Sequence, residues 1–172
     1  MHGPPLILWR YLVLINLAVA FYNVAVIWLM QLDIFPTWRF IPTSEFGRVQ
    51  GQHFWRLFLV VFPQAGLAIV LAFLLYRLRP PGLPSQALKL GVVIQISLWL
   101  LTALLWGRWQ GQIALPGSEP VPVLGPANYA LYQKMLSTHW VRVALITAYG
   151  ALSFWLAVRT FIREERLPDQ TT

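Results

Sequence analysis

Four series of polar and aromatic residues are spaced so that each would occupy one face of a helix. His53, Arg56, Val60 and Gln64 follow at intervals of three, four and four residues, and Gln95, Trp99, Thr102 and Trp106 at four, three and four. His139 is followed by Arg142 and, seven further on, by Tyr149. Asn16 and Asn23 are seven apart, with Trp28 and Gln31 on successive turns beyond them. Residues at these intervals share a helical face. If the faces converge, His53 and His139 offer two imidazoles, and Arg56 and Arg142 two fixed cations. Trp28, Trp106, Trp140 and Tyr149 would be flat walls, and Gln31 and Gln64 would line the same space. Such a pocket suits a flat aromatic molecule that carries or develops negative charge on oxygen: a phenolate, quinone or enolate. His53 or His139 would act as base while the other, or an arginine, holds the oxyanion. The same two imidazoles could ligate a b-type haem axially. No carboxylate lies near either histidine in sequence, which argues against a hydrolytic metal site.

Each residue also has a plainer reading. Asn16, Asn23, Gln95 and Thr102 could only tie helices together, at about 0.6–2 kcal/mol each. Arg56 and Arg142 could snorkel to headgroups, and an interfacial histidine could make a single hydrogen bond.

The elements that must carry these residues follow from composition. The chain has 172 residues, 58% hydrophobic and only 11% charged, with mean hydropathy +0.59. Soluble domains carry roughly a quarter charged residues, so this composition points to lipid. Cysteine is absent, which excludes disulfides, thiolate metal sites and iron–sulfur clusters. The net charge of +7 is spread between apolar blocks and forms no stripe, so no nucleic-acid partner is expected. The lipid bilayer is the expected partner.

A bilayer core needs about 20 apolar residues per spanning helix. Charge-free runs give four spans, at about 11–32, 57–76, 90–107 and 143–158. Backbone amides at mid-bilayer must bond internally, so the spans are helices, and the alternation of a membrane barrel is missing. The fold class is therefore all-α: an integral membrane four-helix bundle in a single domain, residues 1–172. Ala18-Val19-Ala20 resembles a signal-peptide cleavage site, but Arg10 interrupts the early apolar run and hydrophobicity continues to Leu32, so the first helix is expected to be retained.

Four spans put both termini on one side, with loops 33–56 and 108–142 sharing the opposite face. The short second-to-third connection has Arg77, Arg79 and Lys89 and no acid, which favours cytoplasmic termini in a bacterial cytoplasmic membrane. The two long loops are rich in proline and aromatics and read as folded caps. Thr43-Ser44-Glu45 is a plausible helix start, and Pro126 could open a short interfacial helix over 127–135.

Missing residues remove several four-helix alternatives. Quinone reductases of the vitamin K type need paired cysteines, and small multidrug exporters and proton-coupled transporters need an intramembrane carboxylate, which no span contains. The order of motifs is informative: Trp28-x-x-Gln31 with Pro36 after it, Pro42-x-x-x-Phe46, His53, Pro63-Gln64, and Thr138-His139-Trp140-Val141-Arg142 leading into the last span. This order resembles the uncharacterised bacterial four-helix membrane proteins related to the anthrone-oxygenase-like family, over roughly residues 11–158. His139 departs from the Asn that relatives often carry there. The resemblance implies a pocket for a flat phenolic substrate, since characterised members oxidise polycyclic anthrones to quinones without metal or flavin.

The expected function is binding, extending to oxidation, of a small hydrophobic aromatic or quinone-like molecule. Its site would be His53, His139, Arg56, Arg142, Trp28, Gln31, Gln64, Trp140 and Tyr149, with no cofactor. Two rivals stand beside it: a non-catalytic accessory subunit, packed against membrane-protein partners or copies of itself, and a bis-histidine haem b electron carrier. A fluorescent reporter that folds only in the cytoplasm should be active when fused to the C-terminus; activity of a reporter that works only outside the cell would reverse the orientation.

Overall fold

The computed structural model describes residues 6–42, 44–113 and 126–162. It is 93% helical, with four helical stretches long and apolar enough to cross a membrane. Helix α1 (Leu6–Leu29) runs into a π-helical turn (Met30–Ile34), a short α2 (Phe35–Thr37) and a 3₁₀ turn (Trp38–Phe40). Helix α3 (Phe46–Leu78) and helix α4 (Ser85–Leu101) follow, then a second π-helical turn (Thr102–Trp106), α5 (Gly107–Ile113) and α6 (Pro126–Ile162). Helix α1 packs on α6 and α3, and α4 on α3 and α6, so the spans form an up-and-down ring in chain order.

The expected spans are therefore cores of longer helices, and much of the expected loop is helical. The first span continues as a coiled helical path to Phe40, and α3 begins at Phe46, eleven residues before the expected Leu57. Similarly, α6 is one helix from Pro126 through Ile162, not a short interfacial helix followed by a span. At about 1.5 Å per residue its 37 residues reach roughly 55 Å, well beyond the ~30 Å hydrocarbon layer. Periodicity read from charge-free runs marks only the lipid-facing part of a helix, because charges are allowed where it emerges. Of the expected helix start, Thr43 lies outside the described residues; Glu45 precedes α3 without a side-chain cap and pairs instead with Arg48. The prolines at 116, 120 and 122 and Glu119 also lie outside them.

On the terminal side, α3 ends at Arg79 in the left-handed conformation (φ 50°), and its N–H returns to the Leu75 carbonyl at 3.0 Å. Pro80, Pro81, Gly82 (φ 84°) and Pro84 complete the turn into α4. Proline inside a helix removes one ladder bond. On either side of Pro63 the neighbouring helix adds side-chain bonds to α3: the Tyr22 hydroxyl donates to the Val60 carbonyl (3.2 Å), and the Asn23 amide to the Gln64 carbonyl (3.3 Å).

Lipid is as apolar as leucine, so packing rests on close approach of small residues. Helices α1 and α6 meet at Gly150, where an added Cβ would stand 2.8 Å from Val24 Cγ2. Gly150→Ala should lower the melting temperature in detergent by the equivalent of about 1–3 kcal/mol, and adding Val24→Ala should restore most of it. Equal loss in the double variant would mean the crossing is not set by this contact.

Candidate functional site

The distal end of the bundle, away from the termini, holds a connected polar cluster around Arg142. Its helix carries Arg159 seventeen residues further on, so Arg142 stands roughly 25 Å from that side by helical rise, near the far edge of the hydrocarbon. Arg142 Nη1 donates to His139 Nε2 at 3.2 Å, and Nη2 to Thr102 Oγ1 at 3.1 Å. The guanidinium lies over the Trp106 ring, 4.6 Å from its centre. Because arginine can only donate, His139 Nε2 must accept, which leaves the imidazole proton on Nδ1. That N–H donates to Gln31 Oε1 at 2.7 Å, and Gln31 Nε2 donates to the Leu136 carbonyl at 3.3 Å. The chain of bonds thus runs in one direction, from the cation to a backbone carbonyl.

Two π-helical turns supply the partners. Gln31 is in the first, where the Phe35 N–H bonds to the Met30 carbonyl. Pro36 just beyond offers no N–H, and the ladder widens before it. Thr102 and Trp106 bound the second, closed by Gly107 N–H on the Thr102 carbonyl. A Cβ at Gly107 would lie 2.7 Å from that oxygen, so the turn depends on glycine there. The Trp106 indole N–H donates to Thr138 Oγ1 at 3.2 Å, which fixes the ring beneath the guanidinium.

An aromatic cap closes this cluster distally. Phe35 stands edge-on to the His139 ring (4.8 Å) and to Trp38 (5.0 Å), and the Tyr132 hydroxyl donates to the Phe35 carbonyl at 2.8 Å. His139, Phe35, Trp38 and Tyr132 are all fully buried.

Below Arg142 lies a cavity of about 160 Å³. Arg142 and Thr102 line one end, and Asn23, Gln95 and Tyr149 the other. Seven residues separate Arg142 from Tyr149 on α6, and Thr102 from Gln95 on α4, so the ends are roughly 10 Å apart. Ile27, Val61, Ala65 and Leu98 make the space between them apolar. Tyr149 rests on Gly91, and its hydroxyl donates to Asn16 Oδ1 at 2.7 Å, while the Asn16 amide reaches Ser153 Oγ at 3.0 Å. Gln95 is 5% exposed and makes no side-chain hydrogen bond among the described residues.

The sequence-derived site divides into four groups. Arg142 and Tyr149 line the cavity, while Gln31 and His139 stand behind Arg142 and orient it. Trp28 and Trp140 pack edge to face (5.7 Å) but are 38% and 45% exposed, with the Trp28 indole on Thr147 Oγ1, so they sit on the bundle exterior. His53, Arg56 and Gln64 do not line the cavity: Arg56 and Val60 are exposed on α3, and the helix turns Leu57, Val61 and Ala65 inward instead. His139 has both ring nitrogens engaged and no exposed surface, so these residues do not fit a bis-histidine haem, whose iron needs a free imidazole nitrogen. Among the described residues no group of three metal-ligating side chains occurs. Gln95 and Thr102, expected from the sequence as interhelical contacts, line the cavity, and the seven-residue spacing between them matches that of Arg142 and Tyr149.

No family model, no curated protein and no solved structure matches this chain.

Gln31→Leu removes the acceptor of the His139 proton and the donor to Leu136. It should destabilise the protein by about 1–3 kcal/mol, read as a lower melting temperature, and Gly107→Ala should do likewise by breaking the second π turn. An unchanged melt in both variants would show that the cluster does not depend on these turns.

Proposed function

We propose that the protein binds a small hydrophobic aromatic or quinone-like molecule, bearing at least one oxygen, in the cavity between its four spans. The carrying observation is the pairing of an apolar space with Arg142, a buried cation that lines that space and whose Nε–H has no hydrogen-bond partner. Buried polar atoms are almost always satisfied, and an unsatisfied cation lining a cavity is best explained by something that occupies it. Pockets for small molecules have this character: mostly apolar walls with a few placed polar groups.

Size narrows the class. An apolar cavity of roughly 150 Å³ holds one benzene, so the space here fits a single ring, smaller than the polycyclic anthrones that the motif resemblance implies. A base must present a free lone pair to its substrate. His139 has none, since Gln31 and Arg142 take both nitrogens, so the reading is binding; His139 acts by positioning Arg142. The other polar groups at the cavity, Gln95 and Asn23, are amides suited to hydrogen bonding rather than proton transfer.

Solvent extraction and mass spectrometry of the detergent-purified protein should yield a one-ring oxygenated compound. Added 4-ethylphenol should quench the fluorescence of Trp99, which borders the cavity. Ala65→Leu, which fills the space, should abolish both signals while the protein remains folded. Retention of either signal in that variant would place the ligand elsewhere.

A further inference from the structure

Arg142 presents an imbalance of charge as well as an unused donor. It is 8% exposed, and its hydrogen-bond and ring partners among the described residues are neutral: the His139 ring, the Thr102 hydroxyl and the Trp106 face. No carboxylate among the described residues pairs with it; Asp33 is exposed, and Glu45 is held by Arg48. A buried cation is stable only when paired or fully hydrogen-bonded, and here the Nε–H has no partner on a side chain that lines the cavity. At the other end, the buried Gln95 amide is also unpartnered among the described residues.

Resting on the binding reading above, we infer that the cavity's ligand is an organic monoanion: a one-ring carboxylate or phenolate whose charged oxygen meets the Arg142 guanidinium, with a second polar group at its far end on Gln95. The anion supplies the missing counter-charge. Charge-assisted bonds to guanidinium are shorter and stronger than neutral ones, and the low dielectric enlarges the difference. The roughly 10 Å between the two ends matches a para-substituted ring with a hydrogen bond at each end. The anionic form would enter the site with its apolar ring among Ile27, Val61 and Leu98.

The test compares two probes of the same shape that differ by one charge, 4-hydroxybenzoate and 4-hydroxybenzamide, titrated calorimetrically into the detergent-solubilised protein at neutral pH. The benzoate should bind at least tenfold more tightly than the amide. In Arg142→Met the ratio should fall below threefold, with amide binding retained as evidence that the cavity persists. Equal affinity of the two probes for the parent protein overturns the inference and leaves the cavity reading in place. A benzoate preference that survives in Arg142→Met also overturns it. Failure of both probes, together with 4-ethylphenol, overturns the cavity reading and the inference with it.

Discussion

A guanidinium lies inside an apolar bundle with no carboxylate beside it among the described residues, and the architecture of the distal half follows from holding it. Each neighbour meets the cation with a lone pair or a π face. Because Arg142 can only donate, His139 must accept on Nε2 and donate from Nδ1, Gln31 must offer its oxygen, and its amide must find the Leu136 carbonyl. Reversing any one amide or tautomer would leave a buried donor facing a donor. The cluster is therefore stiff, and the cation at its centre, with its Nε–H unpaired, lines the cavity.

Two π-helical turns make that arrangement geometrically available. Inserting a residue into a helical turn rotates everything after it by about 100°. In the first span the turn lies at Gln31 and leads into α2, which brings Phe35 over the His139 ring. In the third it lies between Thr102 and Trp106, so that hydroxyl and indole both meet the same guanidinium. Pro36 gives a chemical reason for the first and Gly107 a steric permit for the second.

The cavity survives because the solvent is lipid. In water, apolar walls around an empty space would be driven together, but leaving apolar surface against acyl chains carries little penalty. Helix α3 is the loosest of the spans, with only 17% of its apolar window buried, and Pro63 sits in its middle. The Tyr22 and Asn23 contacts tether it to α1 on either side of that proline, while Leu57 and Val61 form one wall of the space.

The sequence alone determined the class of this protein. Charge-free runs of spanning length and the low charged fraction dictate a helical membrane bundle, because lipid tolerates only helices and closed barrels, and the alternation of a barrel is missing. It also marked Arg142, Tyr149, Gln31 and the Gln95–Thr102 stripe as residues too polar to face lipid. It could not decide which stripes meet. The stripe of α3, with His53 and Arg56, has the same spacing as that of α6, yet it turns toward the outside, because rotation about a helix axis is set by its neighbours and not by its own periodicity. Trp28 and Trp140 followed the same rule in reverse: aromatic rings are as stable against lipid as inside the bundle, so their position carried no signal. The π turns were invisible as well, since one extra residue per turn leaves composition unchanged while rotating the following side chains. Only the packed bundle placed an arginine, a glutamine and an apolar gap on one axis, because that alignment depends on contacts between segments more than a hundred residues apart.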